Sequence, residues 1–229
     1  MVVRREDEDP SPRHEMKGDP MRKGRFVVMT LALLSSALLV VQVGASTERP
    51  GAVARMKDAA GNFVGTVHLV AKRDDTVEVT AHLNGISPTG TFHGFHIHAS
   101  GVCDPEAKDP VTGATVPFLS AGGHYATPGS IQKHNGHAGD MPVLLVRHDG
   151  KTTLRFKTDR FAIGDLFDAD KSAVIVHVGL DNYANIPATS STGGDRYHSH
   201  LYDVLGPDVA TLKTGDAGVR YACGVVRRP

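Results

Sequence analysis

From about residue 51 onward the chain alternates apolar and polar positions with a period of two, the signature of strands with one face buried. Residues 76–83, Thr-Val-Glu-Val-Thr-Ala-His-Leu, run in and out and stop at Asn84-Gly85. Residues 53–56 and 63–70 flank Asp58-Ala59-Ala60-Gly61-Asn62, and residues 143–148 and 152–156 flank Asp149-Gly150; both intervals carry hairpin signals. Residues 173–176 form an apolar run closed by His177, so that 173–178 predict a buried strand, and 221–226 predict a last strand. No helical period is sustained, although 163–168 can make one turn, and no internal repeat is present. Short strands between turn signals predict an all-β sandwich or barrel.

Two long stretches, 100–142 and 181–216, show neither period. They are rich in Gly, Pro and polar residues. Loops of that length inside a compact domain are usually functional or flexible. The first carries His124, His134, His137 and Asp140, so a metal ion could be what orders it.

Composition narrows the function classes. Lys+Arg and Asp+Glu are equal at 25 each in 229 residues, so no net field favours nucleic acid or a membrane surface. Residues 1–20 are crowded with charge and proline and predict a disordered extension, upstream of an alternative start at Met21. Residues 21–45 read as a secretory leader: Arg22, Lys23 and Arg25, then the apolar run 26–43, then the small-residue ending Gly44-Ala45. Cleavage after Ala45 and retention as a membrane anchor are the two outcomes. No cysteine lies near the end of the run, which excludes a lipoprotein anchor. Either outcome exports residues 46–229 to a periplasmic, cell-surface or extracellular location. With only Cys103 and Cys223 and an oxidising destination, one disulfide is the simplest expectation, two unpaired thiols the rival.

The 13 histidines are the compositional oddity, and their placement matters more than their number. In Phe95-His96-Ile97-His98 the residue types favour a strand, on which two imidazoles two apart aim at one point. Neutral imidazoles so placed suit copper or zinc. An isolated His-x-His would more often be two partly buried strand histidines. Further candidates follow downstream: Gly122-Gly123-His124, His134, His137-Ala138-Gly139-Asp140, His177, Asp181 and Arg220-Tyr221-Ala222-Cys223-Gly224.

On these motifs, taken in order, residues 51–226 resemble the copper/zinc superoxide dismutases, particularly the secreted bacterial branch. The resemblance implies a Greek-key β-barrel or sandwich of about eight antiparallel strands with two long functional loops. It implies copper held by His96, His98, His124 and His177, and zinc by His124, His134, His137 and Asp140, with His124 bridging. It assigns Asp181 to the carboxylate joining a copper histidine to a zinc histidine, and pairs Cys103 with Cys223. Arg220 falls on the arginine that guides the substrate anion, Lys213 on a steering lysine, and His124 also delivers protons. The implied reaction is disproportionation of superoxide to O2 and hydrogen peroxide by Cu(II)/Cu(I) cycling. One departure stands out: His134 and His137 are three apart, where the family usually carries a longer insert. A copper-only dismutase and a non-catalytic copper-binding protein on the same fold are therefore the alternatives. A hydrolytic zinc enzyme would need a base that this set does not offer. Superoxide is the expected partner, with no nucleic acid, a membrane only through an uncleaved leader, and homodimerisation left open. His68, His82 and His148 read as surface residues and His93 as a neighbour supporting the site. His198 and His200 have no counterpart in the resemblance and read as a solvated loop pair, with a metal-scavenging patch as the alternative.

Overall fold

A computed structural model of the chain describes residues 51–129, 131, 133–199 and 203–229. The extension and leader expected over residues 1–45, and His200, lie outside the described residues. Every element below belongs to the compact unit Ser46–Pro229.

The first three strands, β1 (Gly51–Asp58), β2 (Phe63–Ala71) and β3 (Val77–Leu83), form an antiparallel meander with Val53 opposite His68 and Val67 opposite Ala81. Alternation decides which way each strand faces. Ala52, Ala54 and Met56 of β1 and Val77, Val79, Ala81 and Leu83 of β3 are buried, while the residues between them point outward. The β1–β2 turn closes because Gly61 supplies φ +85° and Asp58 accepts from the Asn62 backbone N–H at 2.9 Å.

Two short strands follow, β4 (Thr91–His93) and β5 (Phe95–His98), then β6 (Leu144–Val146), β7 (Thr152–Thr158) and β8 (Ala173–His177). The loop after β8 contains a two-residue pair, β9 (His198–Ser199) with β10 (Val204–Leu205), and a single helical turn, α1 (Thr211–Thr214), before the last strand β11 (Arg220–Arg227). The main sheet is antiparallel with order β5-β8-β11-β1-β2-β3-β7, and β4 pairs with β6 in a separate ribbon. The chain leaves β3, crosses to the far edge, and returns with β7 beside β3, a Greek-key path. Met56, Leu69, Phe95, Ile97, Leu144 and Leu166 fill the interior. Each such side chain contributes about 1.5–3 kcal/mol through burial.

The structure corrects the local reading at two places. Asp149-Gly150 does form a tight turn, with Gly150 at φ +75°, but β6 and β7 do not pair with each other. Leu144 and Val146 turn into the core from the β4 ribbon, whereas β7 continues the β3 edge. A turn signal fixes a reversal of direction, and the core decides which strand each arm joins. The long segment after β8 is also not wholly irregular, since it holds β9, β10 and α1. β4 and β5 are consecutive stretches interrupted at Gly94, where a Cβ would lie 2.6 Å from the Ala217 Cβ and 3.2 Å from His96 Cε1.

Cys103 and Cys223 are joined in a disulfide across 120 residues of sequence. It ties the loop after β5 to β11, and together with Phe118, Ala121, Ala173 and Ile175 it forms a second small apolar cluster.

Candidate metal centre

Phe95 and Ile97 of β5 enter the barrel core, so His96 and His98 must face the other way, and all four residues are buried. What covers them is the first long loop. β5 is the edge of the main sheet, and the loop pairs along that edge through bridges between His98 and His124 and between His96 and Asp140. The Ile97 N–H donates to Gly139 O at 2.9 Å, and the Tyr125 N–H donates to Ile97 O at 2.8 Å. Gly139 has to be glycine for this, because a Cβ would collide with the Ile97 carbonyl. The second long loop returns with Asp181, and β8 ends at His177 beside β5.

The hydrogen bonds assign the ring nitrogens. His98 Nδ1–H donates to Gly122 O at 2.9 Å, and His177 Nδ1–H donates to Gly218 O at 2.8 Å. That leaves Nε2 of both rings as acceptors facing each other at 3.4 Å with no proton to share. His96 Nε2–H donates to Asp181 Oδ2 at 2.8 Å, which leaves His96 Nδ1 without a hydrogen bond. His124 Nδ1 bonds Asp140 Oδ1 at 2.8 Å, and its Nε2 has no hydrogen bond either. One donor atom from each of His96, His98, His124 and His177 lies within 4.8 Å of the others. Buried lone pairs aimed at one another are costly unless a cation lies between them. Burial, reinforced by neighbouring rings, pushes His177 down to about 3 and His124 to about 4, and holds His98 well below its usual value. All three are neutral at pH 7, the form that binds metal.

A second group shares two of these rings. His96, His124, His134 and Asp140 also offer donor atoms within 4.8 Å. His134 Nε2–H donates to Asp181 Oδ1 at 2.7 Å, and its Nδ1 faces Asp140 Oδ1 at 3.2 Å without making a hydrogen bond. Burial works to lower His134, yet the carboxylates of Asp140 and Asp181 outweigh it and raise the ring to about 9. The place between these carboxylates therefore favours positive charge. Asp140 and Asp181 are themselves buried, which opposes ionisation, but the histidine hydrogen bonds hold both well below the usual carboxylate range. His137 stands just outside the tightest four. Its Nδ1 lies 3.3 Å from Asp140 Oδ2 with no hydrogen bond, and its ring centre is 5.4 Å from that of His124. Three imidazoles and a carboxylate form a donor set that zinc accepts, and four neutral imidazoles suit copper.

These shifts predict a two-sided pH profile for the metal-free protein. His124 and His177 are lowered in the fold, so the stability they contribute is present above about pH 6.5 and lost as pH falls towards 3. Each adds a slope of up to about 1.4 kcal/mol per pH unit. His134 is raised, so its contribution is present below about pH 6.5 and lost as pH rises through 9. Urea midpoints of metal-stripped protein should peak near pH 6.5 and fall on both sides, more steeply in acid. A flat profile between pH 4 and 7 would contradict this.

The first group opens on a cavity of ≈ 690 Å³ lined by His98, His124, His177, Lys213 and Arg220. Arg220, the first residue of β11, donates to the carbonyls of Phe118 and Gly122. Gly122 O thus receives both Arg220 and His98, which couples the guanidinium to the cluster. Burial lowers Arg220 to about 10, so it stays charged at neutral pH. The cavity therefore presents fixed positive charge beside the convergent imidazoles.

Several supporting residues have no motif to announce them. His93 bridges the carbonyls of His177 and Pro88 at 2.7 and 2.8 Å, which leaves neither nitrogen for a metal. Gly215 sits at φ +58°, where a Cβ would collide with Asp181 Oδ1 and His134 Nε2. Tyr183 lies parallel to His134 at 8° with centroids 6.2 Å apart, and its hydroxyl accepts from Val143 N–H at 2.8 Å. Of these, His93 is readable as a neighbour of the His-x-His motif, and Gly215 carries a signal as a glycine at the C-terminus of a helical turn. His68, His82 and His148 are exposed, and the exposed His198 lies 3.3 Å from Asp203 Oδ1.

The comparisons agree with this geometry. A family model described as copper/zinc superoxide dismutase matches residues 63–226. The chain is 47% identical over 153 residues to the superoxide dismutase [Cu-Zn] of Mycolicibacterium paratuberculosis, covering 66% of this chain and 61% of that relative's length. It is 35% identical over 175 residues to the superoxide dismutase [Cu-Zn] of Escherichia coli K12, covering 73% of this chain and 94% of that one. Among solved structures, the Cu/Zn superoxide dismutase of Brucella abortus superposes with TM-score 0.54 at 26% identity, covering 77% of this chain and 99% of that one. The barrel, the two histidine groups and the extent of these matches point the same way: the chain belongs to the copper/zinc superoxide dismutase family.

Proposed function

We propose that residues 46–229 are an exported superoxide dismutase domain, with copper held by His96 Nδ1 and the Nε2 atoms of His98, His124 and His177. Zinc is held by His124, His134 and Asp140, with His137 as the nearby fourth donor. The observation that carries this reading is the convergence of four buried, neutral imidazoles on a cavity lined by Arg220. Bound copper supplies a one-electron couple, Cu(II)/Cu(I), by which one superoxide is oxidised to O2 and another reduced to hydrogen peroxide.

The remaining work falls to the chain. Arg220 and Lys213 attract the anion into the cavity, and the forked guanidinium orients it by hydrogen bonds. Two protons complete hydrogen peroxide; solvent supplies one, and His124, whose ring lines the cavity, would carry the other at Nε2 only in the state in which that nitrogen is not a copper donor. Asp181 keeps Nδ1 of His96 and of His134 as the free donor by accepting from Nε2 of each. The apolar run at residues 26–43 and the Cys103–Cys223 disulfide support export into an oxidising compartment. An exported protein whose mass begins at Ser46 would fit leader cleavage, and one retaining residues 21–45 would fit the anchor.

Superoxide decay followed in the presence of copper- and zinc-loaded protein tests the function. The wild type should consume superoxide at a rate limited by encounter and lowered by salt. Arg220→Ala should slow it roughly 10- to 100-fold, with copper content unchanged and a weaker salt dependence. Correctly folded, fully copper-loaded wild type that left superoxide untouched would end the catalytic reading.

A further inference from the structure

The short spacing between His134 and His137 requires the connecting segment to fold tightly, and the structure shows how it does. Gly136 N–H donates to Lys133 O at 2.9 Å, closing a turn in which Asn135 adopts φ +42°. The turn leaves the Asn135 carbonyl without a backbone donor among the described residues, while the His137 carbonyl accepts from Asp140 N–H at 3.2 Å and has a lone pair left for a second donor. Arg160 reaches both. Its Nη1 donates to Asn135 O at 3.0 Å and to His137 O at 3.2 Å, one carbonyl on each side of Gly136.

Arg160 is well placed for that task. It lies two residues beyond the end of β7, and its backbone N–H donates to Thr158 Oγ1 at 3.2 Å. The guanidinium has no carboxylate partner among the described residues. The flanks of the loop are anchored elsewhere: His134 N–H to Leu212 O at 2.7 Å, and Asp140 by its bridge to His96. Between those anchors, Arg160 joins the turn to the barrel. It also lines two neighbouring cavities, one with Asn135, Asp140 and Tyr183, the other with Gly136 and Ala138. Arg160 and Asp140 therefore border the same cavity on the outer side of the turn.

The geometry points to Arg160 as a positioning residue that clamps the His134–Asp140 turn and retards escape of zinc through the outer face. This rests on the zinc half of the function proposed above. The clamp explains how a shortened loop can present His134, His137 and Asp140 together. The side chain is exposed, so its removal leaves the core intact.

The test is zinc release from the copper- and zinc-loaded full protein into a colorimetric chelator. Arg160→Ala should release zinc on the order of tenfold faster or more, the range seen when a group supporting a metal ligand is lost. Its copper content and superoxide rate per copper should stay near wild type. Arg160→Lys should fall between, because an ammonium does not reproduce the guanidinium fork. Arg155→Ala removes a β7 arginine that bonds Glu78 rather than the loop, and should release zinc at the wild-type rate. Wild-type release from Arg160→Ala, or equal acceleration by Arg155→Ala, would overturn the clamp while leaving the zinc site standing. Wild-type protein that takes up no zinc would overturn the zinc assignment itself, and the clamp with it.

Discussion

Replacing His177 with alanine is expected to reduce superoxide consumption to the background of free metal ion and to release copper, while zinc remains bound. The side chain is buried at the end of β8, with Nδ1–H held by Gly218 O at 2.8 Å and Nε2 3.4 Å from His98 Nε2. Alanine removes one of the four proposed copper donors and leaves the His98 lone pair without the ring that faces it. Loss of a supporting hydrogen bond to a ligand already costs about 10–100-fold in metal affinity, and loss of the ligand itself costs more. His177 is absent from the second group, so His124, His134 and Asp140 keep their arrangement. Metal analysis and superoxide decay on the same samples read the result. Full activity with one copper per chain in His177→Ala would remove His177 from the centre.

The largest effect on stability is expected from the disulfide. Replacing Cys103 and Cys223 with serine opens a link across 120 residues, worth about 4–5 kcal/mol on the chain-entropy model. For a domain of this size that corresponds to a fall in Tm of roughly 8–20 °C. The same change should reach activity. The tethered loop supplies Phe118 O and Gly122 O, the two carbonyls that hold Arg220, and Gly122 O also holds His98. The serine variant should therefore show a lower superoxide rate per bound copper, with a reduced response to salt, even at temperatures where it remains folded. An unchanged Tm would show that the loop is held by packing alone. An unchanged rate per copper would show that Arg220 keeps its position without the tether.

Much of the site was legible because its chemistry is carried by uncommon residues in local patterns. His96 and His98 declare themselves by spacing on a strand, and His177 by closing an apolar run. The supporting residues were not legible for the opposite reason. Gly139, Tyr183 and Arg160 act through neighbours that tertiary packing assigns them, and nothing in their surroundings in sequence marks those neighbours. The Asp149-Gly150 turn shows the same division in the fold. The dipeptide specifies a reversal, but β6 pairs with the distant β4 rather than with its sequence neighbour, and this places Leu144 and Val146 in the core.

The order of residues by itself determined the all-β class, the positions of the main-sheet strands, the equal balance of charge and the inventory of histidines, because each follows from short-range periodicity and side-chain chemistry. Which histidines converge, which nitrogen each presents, and where His137 stands relative to His96 around Asp140 were decided by the fold alone. Those depend on distances of a few ångströms between segments far apart in the chain. Only the pairing of β5 with the long loop and with β8 sets them.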